Sequence, residues 1–151
     1  MTPMLELTLA DGRELDIPSG SVIMFEGMNE GANPNFPSAK SFIRYGMGSE
    51  VRNGVLSTKV EDLVFELGIN TSAPSKWLRL TKKTGEALVL LSGNVVGRMS
   101  LEEGCEVSYV VGDVVEVAQV TQSRREIKKW SEREVGRPEG LIEMPVPEDN
   151  R

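Results

Sequence analysis

The chain contains no histidine. That removes Ser–His–Asp and Cys–His nucleophilic mechanisms, histidine metal sites and the commonest general base. The single cysteine, Cys105, stands near Glu102, Glu103 and Glu106. Acidic neighbours raise a thiol's pKa, so Cys105 reads as a small buried hydrophobe rather than a nucleophile. One cysteine also excludes an internal disulfide. Asp11, Glu14 and Asp16 gather carboxylates, but Gly12 directly follows Asp11 and no Glu stands at the twelfth position, so EF-hand spacing is absent. Asp11 and Gly12 suit a turn, while Glu14 and Asp16 suit the wet face of a strand. Neither a P-loop nor a dinucleotide-binding glycine motif occurs. The expectation is a non-enzyme with no catalytic residues, no cofactor and no metal.

Three groups of residues offer binding rather than catalysis. Arg124, Arg125, Lys128 and Lys129, beside Trp130, form the strongest basic cluster. At helical spacing, Arg124/Lys128 and Arg125/Lys129 stand on adjoining faces that could meet phosphates. Glu126, Glu132 and Glu134 interleave them and the chain carries a net charge of −6, so a solvated helix face is the simpler reading. Residues 26–40 hold Gly, Asn and Pro without periodicity and predict a long loop. In it Asn29, Asn33, Asn35 and Phe36 offer amide hydrogen bonding and one exposed aromatic for a protein or small-molecule partner. The third group is a tail, residues 137–151. It has three prolines, and its few apolar residues, Leu141, Ile142, Met144 and Val146, are the expected docking contacts with a partner subunit.

The elements that position these groups follow from a phrase that occurs twice. Leu5, Leu7, Thr8, Gly12, Leu15, Ser19, Gly20 and Val22 recur without a gap as Leu78, Leu80, Thr81, Gly85, Leu88, Ser92, Gly93 and Val95, 73 residues later. Further on, Tyr45, Gly48 and Val51 recur as Tyr109, Gly112 and Val115, 64 residues later. This predicts an internal duplication. Each copy reads as a hairpin, three more strands and a closing helix. The first copy's strands are expected near 4–9, 13–17, 21–25, 41–46 and 51–57. Its helix is expected to start from a capping box of Thr58 and Glu61 and to stop at Gly68. The second copy repeats the plan, with a short strand at 95–96, a loop at 97–104, a capping box of Ser123 and Glu126, and a helix ending at Gly136.

The predicted fold class is therefore mainly β (β-rich α+β): a tandem duplication of a small five-stranded β-barrel or sheet unit closed by a C-terminal helix. The expected organisation is a first repeat at 1–68, a linker at 69–76, a second repeat at 77–136 and the extended tail at 137–151. Residues 1–68 carry a charge of −5 and residues 69–136 carry +1, a contrast that suits head-to-tail pairing between subunits. No apolar run approaches the ~20 residues of a membrane span, and the N-terminal stretch lacks signal-peptide character, so the expected location is cytoplasmic or within a virion. The leading functional expectation is a structural or assembly protein that forms homo-oligomers or part of a larger particle, such as a head–tail, tail or decoration component. The alternatives are a small binding or inhibitory protein acting through residues 26–40, and a nucleic-acid accessory protein using the basic helix.

Overall fold

Strict alternation builds the first hairpin. In β1 (Met4–Thr8) Leu5 and Leu7 are buried while Met4, Glu6 and Thr8 are exposed; in β2 (Glu14–Pro18) Ile17 is buried between exposed Asp16 and Pro18. Period-two burial of this kind leaves one face wet and commits the other to a core. The intervening turn is closed by Leu9 N–H on the Arg13 carbonyl at 2.8 Å and by Arg13 N–H on the Asp11 carboxylate at 3.0 Å.

The computed structural model describes residues 4–29, 33–69 and 76–131. After β2 come a 3-10 turn (Ser19–Ser21), β3 (Val22–Gly27), β4 (Ser41–Met47), β5 (Glu50–Leu56) and α1 (Val60–Glu66). The second half has β6 (Trp77–Thr81), β7 (Ala87–Leu91), a 3-10 turn (Ser92–Asn94), β8 (Val95–Ser100), β9 (Cys105–Val111), β10 (Val114–Val120) and α2 (Arg124–Trp130). The protein is mainly β, with two helices and three sheets: β1-β2, β5-β4-β3-β7-β6 and β10-β9-β8. No closed barrel forms among the described residues, in contrast to the barrel expected as one form of the unit. β3 of the first half pairs antiparallel with β7 of the second, through Met24–Leu90, Phe25–Val89 and Glu26–Leu88. The edge of β3 that a closed first unit would need is occupied by β7.

The five-stranded sheet lies between two cores. One core holds Leu5, Leu7 and Ile17 of the first hairpin, Phe25, Ile43 and Leu56 of the meander, Val60 and Leu63 of α1, and Val89 of β7. The other holds Leu78, Leu80, Leu88 and Leu90, Met24 of β3, the inward residues of β9 and β10, and Ile127 of α2. Each core thus contains at least one side chain from the opposite half of the chain.

Element by element, the two halves follow the same order, and their boundaries correspond at the 73-residue offset through β8 and at 64 beyond. Irregularities correspond as well. Register shifts fall between Val22 and Met24 and between Val95 and Gly97, and isolated bridges join Leu9 to Leu56 and Lys82 to Val120.

Local expectations fare unevenly. Ser123 caps α2 as a full capping box with Glu126. Thr58 does not cap α1: Lys59 is the N-cap, with no side-chain cap bond. The Thr58 carbonyl instead accepts the buried Ser41 hydroxyl at 2.6 Å, which sets the chain one residue further along before the helix begins. Leu67 ends α1, and Gly68 N–H to Phe65 O with Ile69 N–H to Val64 O closes a Schellman motif. β8 is a full strand to Ser100, because β9 is there to receive its edge, where a two-residue strand was expected. α2 ends at Trp130, with Ser131 extended, rather than continuing to Gly136. Residues 70–75 of the expected linker and the whole expected tail, with Leu141, Ile142, Met144 and Val146, lie outside the described residues.

Candidate functional site

Three ion pairs among the described residues join the halves, Arg79 of β6 with Glu61 of α1 at 2.6 Å and two more beside the central sheet. Lys82 Nζ, just beyond β6, meets Glu26 of β3 at 3.0 Å, and Arg44 of β4 pairs with Glu116 of β10. The Arg44 guanidinium also lies 5.3 Å over the Phe42 ring, and its buried Nε has no partner among the described residues. Tyr109 is buried beside this seam. Burial, reinforced by the negative charges of Glu26 and Glu116, pushes its phenol up to about 12. At ordinary pH the Tyr109 phenol is therefore held neutral.

Cys105 is fully buried, with its Sγ 3.5 Å from the Glu106 carbonyl, and burial pushes its thiol pKa up. Among the described residues no group of three or more His, Cys, Asp or Glu is placed to hold a metal ion. No described helix is long and apolar enough to cross a membrane.

The loop residues chosen from sequence are held by the fold in different ways. Asn29 donates from Nδ2 to Glu86 at 2.7 Å, tying the loop to the second hairpin. Asn33 accepts Asn35 N–H at 3.1 Å, forming an Asx turn, and Asn35 is exposed. Phe36 is half-buried rather than exposed. It lines a groove of ≈ 440 Å³ with Leu9, Leu15 and Tyr45. The four residues therefore do not converge on one spot: Asn29 faces the second hairpin, and Phe36 faces the first.

The basic helix is also divided. Ile127 is buried, Arg124 and Lys128 are half-buried, and Arg125 and Lys129 are exposed. Arg124 lines a groove of ≈ 320 Å³ with Arg98, Val95, Val96, Ile127 and the buried Ser92 and Ser131. The groove runs along β8. No known protein family, curated protein or solved structure matches this chain.

A further group of exposed residues lies on the third sheet, which the sequence did not single out. Of the nine exposed large hydrophobic residues among the described residues, five belong to it: Val96, Met99, Val114, Val115 and Val117. Val115 opposes Val110 of β9, and Val117 opposes Ser108, which in turn opposes Gly97 of β8. Met99 lies along the same face opposite Glu106. Val115 and Val117, alternating about Glu116, were the available signal, since the outer face of a solvated strand is ordinarily polar.

Proposed function

We propose that this chain is a non-enzymatic structural protein that assembles with copies of itself, built from two duplicated β-rich units. The observation that carries the reading is the exposed Val115 and Val117 on the outer face of the third sheet. Val115 and Val117 are 56% and 55% exposed, and Met99 is 54% exposed. Scattered single hydrophobics are ordinary on a surface, but Val115 and Val117 alternate on one face of β10 with Val110 of β9 beside them, and apolar residues grouped in this way favour an interaction surface. The shared element order and the matching register shifts support duplication, and a duplicated unit presents the same surfaces twice, which suits rings and lattices.

The test is the double variant Val115→Lys/Val117→Lys. Light scattering should show the wild-type chain as a multimer and the variant as a monomer, with circular dichroism unchanged. A wild-type chain that stays monomeric at all concentrations overturns the reading. A variant that keeps the wild-type mass removes this face from it.

A second reading has one observation in its favour, the Phe36-lined groove beside Leu9, Leu15 and Tyr45. It makes the protein a binder of a small ligand with an apolar part against Phe36 and a polar part toward Asp11, Arg13, Glu14 and Arg52, which line the same groove. Such a ligand would be lost on Phe36→Ala with the oligomer mass intact.

A further inference from the structure

The pairing that joins the two halves has a counterpart that the chain does not make. β3 corresponds to β8 and β7 to β2, each at the 73-residue offset. β3 pairs with β7, whereas β2 lies only beside β1, and β8 only beside β9, among the described residues. A two-fold relation between the halves would have closed β8 onto β2 within the chain. The two strands sit in separate sheets, so the relation is open, and an open relation repeated between identical units gives a ring or a filament.

We infer that β8 of one copy adds antiparallel to the β2 edge of a second copy of this chain, in the register that joins β3 to β7. The inference rests on the assembly reading above and names its interface. Shifting both partners of the observed register by 73 pairs Gly97 with Ile17, Arg98 with Asp16, and Met99 with Leu15.

The side chains at the shifted positions fit one another. Phe25–Val89, an apolar pair within the chain, becomes Arg98–Asp16, a cross-strand pair of opposite charge. Arg79 of β6 meets Glu61 of α1 at 2.6 Å; the counterparts are Glu6 and Arg125, again opposite in charge but with the signs exchanged. Lys82–Glu26 becomes Leu9–Met99, which covers a methionine that is 54% exposed. Val51 lies so close to Gly112 that a Cβ there would stand 2.7 Å from its Cγ2. The counterparts are Val115, 56% exposed, and Gly48, which has nothing within 4 Å of its Cβ position. Exposed Val115 thus faces a corner with room for it. The −5 charge of residues 1–68 and the +1 of residues 69–136 favour the same head-to-tail order.

The test places both cysteines in one full-length chain, Asp16→Cys/Arg98→Cys. Directly opposed strand residues have Cα atoms about 4.5–5.5 Å apart, within disulfide reach. Mild oxidation should give a ladder of covalent multimers on a non-reducing gel. A monomer with an internal disulfide overturns the inference, because the halves would then close on themselves. An oligomer by light scattering that yields no ladder overturns this register while leaving the assembly reading standing. A wild-type monomer at every concentration overturns both. Independently, Asp16→Arg should weaken association roughly tenfold or more, and Asp16→Arg/Arg98→Asp should restore it. Failure of that rescue, with both variants folded, also counts against the register.

Discussion

Gly112 and Gly48 occupy corresponding turns with the same left-handed backbone, φ +65° and +64°, but different surroundings. Alanine at either position carries the left-handed strain of a non-glycine residue, roughly 1–2 kcal/mol. At Gly112 the added methyl would also stand 2.7 Å from Val51 Cγ2, and Val51 must leave its preferred rotamer at about 0.5–1.5 kcal/mol more. Gly112→Ala should therefore cost about 1 kcal/mol more than Gly48→Ala, although the two backbones are alike. The assay is urea unfolding in the Val115→Lys/Val117→Lys background, which the proposed assembly predicts to be monomeric. Adding Val51→Ala to Gly112→Ala should recover the excess, since the two sites couple through that one contact. Equal losses at both glycines, or no recovery with Val51→Ala, would refute the placement of β10's turn against β5. In the assembled wild type the asymmetry should narrow, because Val115 of the next copy then reaches Gly48.

Tyr109 gives a pH signature. Its folded pKa is raised to about 12 from 10, so the folded state keeps a proton that the unfolded state has lost between those values. Stability is then fully present below pH 10 and falls as pH rises toward 12, by roughly 2–3 kcal/mol in all. In Tyr45→Phe, where Tyr109 is the only tyrosine, tyrosinate absorbance should rise with a midpoint near 12; a midpoint near 10 would mean that Tyr109 is not buried against Glu26 and Glu116. Ser123→Ala, which removes the capping box of α2, should cost about 1 kcal/mol in urea unfolding. Thr58→Ala should cost much less, because its side chain makes no cap. A reversed order would show the two helix starts to be misassigned. Leu88→Ala, at a fully buried β7 position, should cost about 2–5 kcal/mol and move a single cooperative transition. Two separate transitions would show that the halves fold independently.

The recurrence of Leu5, Leu7, Gly12, Leu15 and Val22 as residues 78–95 carried most of the architecture into view, because hairpin position and turn chemistry are local. What joins the halves was not legible. β3 reads as a buried apolar strand whichever neighbour it has, and nothing in Met24, Phe25 and Glu26 names Leu90, Val89 and Leu88 as partners. β8 was cut short because Gly97 and Arg98 break the apolar run, yet the backbone of Ser100 still pairs with Cys105. Thr58 and Glu61 have capping-box spacing, but sequence spacing cannot show that the Thr58 carbonyl is taken by Ser41. The candidate site was missed for a related reason. Nothing in the spacing of Val114, Val115 and Val117 says which face of their strand is covered, and only the structure shows all three exposed.

The most direct test of the assembly account is the solution mass of the wild-type chain, measured by light scattering over a range of concentrations. The account predicts a mass that is a multiple of 16.6 kDa and falls to 16.6 kDa in Val115→Lys/Val117→Lys. A wild-type mass of 16.6 kDa throughout would contradict it.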